Sequence, residues 1–114
     1  MEQVPFTRKN LPFYLEIYNQ HSGELLGYLG DISAEQIVIL SDHALPLDQV
    51  IDLNIRLPDL EEFTEAGLEV RVETQWDSPD ADPKWHCTGC LLVDIAPEDE
   101  PIIDQIQEAL EIGR

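Results

Sequence analysis

Apolar and polar residues alternate over most of the chain, and the alternation has period two. In residues 13–18, Phe13, Leu15 and Ile17 share one face, while Tyr14, Glu16 and Tyr18 share the other. Successive side chains of a β-strand point to opposite faces, so this spacing predicts a strand with one buried side. A His-Ser-Gly-Glu turn at 21–24 leads to a second strand over 25–32, weakened by Gly27 and Gly30. A tight polar turn at 31–36 precedes Ile37, Val38, Ile39 and Leu40, a run apolar on both faces. The cleanest alternation lies at 50–57, with Ile51, Leu53, Ile55 and Leu57 opposite Asp52, Asn54 and Arg56. An acidic loop at 58–67 is followed by a strand over 68–76, in which Leu68, Val70, Val72 and Trp76 are expected inward. Pro79, Pro83 and three aspartates mark 77–84 as a loop, and the last strand is expected over 85–95.

The period then changes. Ile102, Ile103, Ile106 and Leu110 recur at helical spacing. Pro97 suits a first helical position, the acidic residues 98–100 favour the positive end of the helix dipole, and Gly113 suits the position after the C-cap. These signals predict one amphipathic helix over 98–112. Six alternating strands with short turns and one terminal helix define an all-β class, a six-stranded antiparallel β-barrel closed to remove exposed strand edges. The helix would cover one opening or face with its isoleucine stripe. The 114 residues fit a single domain: an N-terminal arm over 1–12, the barrel over 13–95 and the helix over 98–112.

Charge narrows the functional classes. Lys and Arg total 6 against 24 Asp and Glu, a formal net charge of −18. Such a field repels nucleic acid and anionic membrane surfaces, and suits a basic protein partner. No apolar stretch is long enough to span a membrane, and residues 1–10 hold no apolar core of a secretory signal. Two cysteines three residues apart do not make a disulfide framework, so a reducing cytoplasm is the expected location.

Chemical machinery is sparse. No Gly-rich phosphate loop and no G-x-S-x-G elbow is present, and His21, His43 and His86 lie in separate segments. No catalytic residue or metal ligand is assigned, and no enzyme activity is expected. Cys87-Thr88-Gly89-Cys90 is a C-x-x-C, and a thiol or metal protein centred on Cys87 and Cys90 is one alternative. Residues three apart in a strand diverge, however, and a structural zinc site needs a second ligand pair. Two polar segments remain. Arg8-Lys9 is the only basic pair and precedes the first strand, while Asp31-Ile32-Ser33-Ala34-Glu35-Gln36 joins the second and third strands. Asp and Ser there would cap backbone N–H groups. If the two segments meet at one barrel mouth, they could also grip an anionic nucleotide through an arginine fork and polar side chains.

This layout resembles the PilZ domain, a bacterial receptor for cyclic di-GMP. The likeness runs from residue 7 to residue 112. The family's motifs are R-x-x-x-R before the first strand and [DN]-x-S-x-x-G after the second; here they read Arg8-Lys9-Asn10-Leu11-Pro12 and 31–36. The stretch from Trp85 to Ile95, then Pro97 and a helix, is similar to the family's closing strand and helix. The resemblance implies a PilZ-type barrel, cyclic di-GMP as the candidate ligand, no other cofactor, and Arg8, Lys9, Asp31 and Ser33 as candidate nucleotide-binding residues. Pro12 stands where the second arginine belongs and Gln36 where the glycine belongs. Losing one arginine removes a charge-assisted contact worth roughly 1.5–3 kcal/mol. The expected function is therefore a non-enzymatic signalling adaptor with weak or lost nucleotide binding. It would bind a protein partner in motility, pilus or second-messenger control. The alternative is a genuine receptor using Arg8, Asp31 and Ser33.

Overall fold

A computed structural model describes residues 15–57, 63, 66–79 and 84–110. Its strands are β1 (Glu16–Asn19), β2 (Leu25–Ile32), β3 (Gln36–Ser41), β4 (Val50–Arg56), β5 (Gly67–Pro79) and β6 (His86–Ile95). They close into an antiparallel barrel in the order β1-β2-β3-β6-β5-β4. The alternating positions do what period two requires. Ile17, Leu29, Ile37, Ile39, Leu53, Ile55, Leu68 and Val72 fill the interior and are fully buried. Each such side chain contributes roughly 1.5–3 kcal/mol by leaving water.

Four irregularities interrupt the pairing, one of them where β1 meets β2 and Leu26 is left extra, and the other three bear on the surfaces described below. In β2, Leu29 pairs with Ile39 but Asp31 pairs with Val38, so Gly30 is an extra, bulged residue. In β6, Leu92 pairs with Val72 and Asp94 with Arg71, which leaves Val93 as the extra residue. In β5, Thr74 pairs with Cys90 and Trp76 with Gly89, which leaves Gln75 unpaired. This last bulge overturns the expectation that Trp76 points inward. A one-residue insertion flips every later side chain to the other face. Thr74 is the buried residue, and Trp76 lies outside over Gly89, where an added Cβ would fall 1.9 Å from the indole. The same strand runs on through Asp77 and Ser78 to Pro79, which pairs with His86, so the expected loop at 77–84 begins later than its prolines suggested.

The terminal helix also differs in its first turn. Pro97–Asp99 form a 3₁₀ turn closed by the Glu100 N–H on the Pro97 carbonyl, and the α-helix proper, α1, is Glu100–Leu110. Pro101 explains the break. It has no N–H to return to residue 97, but it is well tolerated in a helix's first turn. Ile102, Ile103 and Ile106 are buried in the same cluster as the barrel interior, so the stripe faces the barrel as its period requires. The expected end of the helix at 112, with Gly113 just after the C-cap, lies outside the described residues.

Candidate functional site

The bulge at Gly30 sets the geometry of the 31–36 turn. It carries Asp31 to the outer face beside Val38 and returns Ile32 to the interior opposite Ile37. Asp31 is half-buried, and Oδ1 accepts the Ile32 N–H at 2.9 Å. Burial pushes its carboxyl above the usual range, against the lowering effect of that hydrogen bond. Ser33 closes the turn. Its N–H donates to the Gln36 carbonyl at 2.8 Å, and its Oγ accepts the N–H groups of Glu35 and Gln36 at 3.3 and 3.1 Å. Both candidate side chains thus serve their own backbone, the capping role that short polar side chains take in turns. Gln36 needs no glycine geometry: among the described residues Asp48 is the non-glycine with positive φ. The departure from the family's glycine therefore introduces no strain at this turn.

The terminal helix reaches this turn. Gln107 Nε2 donates to the Ile32 carbonyl at 2.8 Å, a contact across 75 positions of sequence. No sequence signal singled out Gln107, because a polar residue beside an apolar helical stripe is the ordinary boundary of an amphipathic helix. Arg8 and Lys9 lie outside the described residues. The structure therefore places Asp31 and Ser33 together, and Asp31 beside an apolar outer face.

That outer face runs over β3 and β6. Val38, Leu40 and Cys87 point away from the barrel interior, yet form a second buried cluster against which Trp85 packs. Trp85 meets Tyr28 edge-on, with ring centroids 6.2 Å apart. The two cysteines diverge as three-residue spacing in a strand requires: Cys87 joins this outer cluster and Cys90 the interior. Burial pushes the Cys90 thiol up to about 12, far from the low values that make a thiol reactive. Opposite faces of one strand cannot bring the two into a disulfide with each other.

A polar network occupies the other side of the barrel. Asp52 on β4 accepts from Arg71 Nε at 2.7 Å and Arg71 Nη2 at 3.3 Å, and lies 2.7 Å from His21 Nε2. The Arg71 and His21 contacts hold its carboxyl down at about 2. Beside it Gln20 Nε2 donates to Glu69 at 3.0 Å, and Asn54 Nδ2 donates to Gln20 at 3.2 Å. Gln20, His21, Asp52, Glu69 and Arg71 line an open depression of about 410 Å³. The sequence marked Asp52 and Asn54 as outward, but not their partners, which lie 19 to 34 positions away. Among the described residues no group of three His, Cys, Asp or Glu side chains could hold a metal ion, and no helix is long and apolar enough to cross a membrane.

No protein-family model matches the chain, and no curated protein matches it. Among solved structures, the chain is similar to the Bacillus subtilis inhibitor of motility, MotI/DgrA. The TM-score is 0.66 at 21% identity, over 88% of this chain and 49% of that one. The chain therefore spans about half the length of that structure. At this identity the likeness establishes a shared fold: the closed barrel with its terminal helix.

Proposed function

We propose that this chain is a PilZ-like signalling adaptor in a bacterial cyclic di-GMP-related pathway. It acts in motility control by binding a protein partner, with weak or lost affinity for the nucleotide itself. The observation that carries the reading is the fold shared with an inhibitor of motility, combined with what Asp31 and Ser33 are doing. Their polar atoms are engaged with the backbone of their own turn, and the pre-strand arm has Pro12 where a second arginine would complete the phosphate grip. An arginine fork contributes planar, bidentate contacts that Lys9, as a point charge, does not replace. The net charge of −18 further opposes a dianionic ligand. The motility inhibitor also suits a regulatory role better than a catalytic one.

Calorimetric titration with cyclic di-GMP at physiological salt tests this reading. The expected result is no sub-micromolar binding. Sub-micromolar heat that Arg8→Ala abolishes would overturn it in favour of a receptor that uses Arg8, Lys9, Asp31 and Ser33.

A further inference from the structure

Four of the large apolar side chains that remain exposed gather around one carboxylate. Glu73 on β5 pairs with Val50 of β4 on one side and with Leu91 of β6 on the other. All three belong to the outward set, since Val72 and Leu53 are buried within. Trp76 follows Glu73 on the outer face once the bulge has turned it outward, and Val93 follows Leu91. Their exposures are 61% for Val50, 40% for Trp76, 42% for Leu91 and 49% for Val93. Residues opposite or diagonal across neighbouring strands are near enough for such side chains to form one surface. Glu73 is half-buried at its centre and makes no hydrogen bond or ion pair with the described residues. The next row outward is Asp52, Arg71 and Asp94, where Arg71 is already held by Asp52.

A half-buried carboxylate that is unpaired among the described residues and bordered by exposed apolar groups is an incomplete contact. An aliphatic or aromatic rim excludes water, and the carboxylate at its centre is completed by a cation. The barrel is closed, so β4, β5 and β6 are paired on both sides and cannot accept an added strand. A partner must therefore meet this face with side chains. We infer that Glu73, with Val50, Trp76, Leu91 and Val93, is the docking surface for a basic amphipathic helix of a partner protein, with a Lys or Arg on Glu73 and an apolar stripe on the rim. The chain's excess of carboxylates complements such a segment and repels anionic membrane. The inference rests on the adaptor reading above and names the class of its partner.

The test uses the full chain, with a synthetic lysine–leucine amphipathic helical peptide as probe and its glutamate–leucine counterpart as control. The lysine peptide is expected to bind at physiological salt and the glutamate peptide not to. Glu73→Gln and Leu91→Ser should each weaken binding about tenfold. Glu24→Gln, which removes the same charge from the exposed β1–β2 turn, should leave it unchanged. Both test residues are surface positions, and an unaltered melting profile confirms that the variants fold. Equal weakening by Glu24→Gln and Glu73→Gln would reduce the binding to unspecific charge attraction and overturn the inference. So would sedimentation showing a dimer that Leu91→Ser breaks, because a second copy would then cover the face. The cyclic di-GMP titration is run on the same protein. Tight nucleotide binding with peptide recognition intact overturns the adaptor-only reading alone. Loss of specific peptide recognition without nucleotide binding overturns the docking surface alone.

Discussion

On β4 the outward positions after Val50 are Asp52, Asn54 and Arg56, whereas on β3 Val38 and Leu40 follow Gln36 on the outer face, and the two strands wall the same barrel. The β4 side is covered by water and by hydrogen bonds among exposed side chains: His21 and Arg71 on Asp52, Gln20 on Glu69. The β3 side is covered by other side chains, so that Val38, Leu40 and Cys87 are buried although none reaches the interior. Exposed ion pairs contribute little because water and salt screen them and because two long side chains must be held still. Apolar burial contributes on either side of the wall alike. The difference teaches that outward does not mean exposed in this barrel, and that apolar burial continues outside the wall over β3 and β6.

The comparison breaks most sharply at Leu40. If the outer cluster is a true second core, Leu40→Ala costs about 2–5 kcal/mol, as an interior leucine would. Urea denaturation measures this, and a loss comparable to that of an exposed side chain would show that the cluster is only surface. A smaller effect is expected at Gly89. Any Cβ there meets the Trp76 indole, so Gly89→Val forces the ring outward. The expected cost is about 1 kcal/mol, with a red shift of tryptophan emission as the indole gains water. The smallest effect belongs to the polar side. The carboxyl of Asp52 titrates lower in the folded chain, about 2, than its ordinary 3.8. Its stabilisation is therefore present above the ordinary value and drains away as pH falls toward 2. Asp52→Asn should lower stability slightly at neutral pH, less at raised salt, and approach the parent only as pH falls below about 2. Denaturation midpoints across pH check this; a difference that persists in acid would mean that Asp52 acts through something other than its charge.

The alternation of Ile51, Leu53 and Ile55, and the helical return of Ile102, Ile103 and Ile106, were enough to place those side chains inside. Period is a local property, and these segments keep it without interruption. It failed at Trp76, because Gln75 is inserted against a partner strand that the local sequence does not reveal. At the helix start, Pro97 does open the helical segment, but as a 3₁₀ turn, and the α-helix expected from 98 begins at Glu100 because of Pro101. For the candidate site, the capping chemistry of Asp31 and Ser33 was readable because a turn's hydrogen bonds are made within a few residues. The Gln107 contact to Ile32 and the Asp52 network were not readable, since nothing local links residues so far apart.

By itself the sequence determined the class of fold, the number of strands, the inward set on most of them, and a net charge of −18. These follow from side-chain periodicity and from a count of ionisable groups, neither of which depends on what lies across the barrel. Only the tertiary structure decided which outward residues meet. The strand order brought Val50, Glu73 and Leu91 into one row, and the bulge at Gln75 turned Trp76 onto that surface. Register between distant strands is set by the packing of the whole wall, because one residue of slip would exchange the buried face for the exposed one.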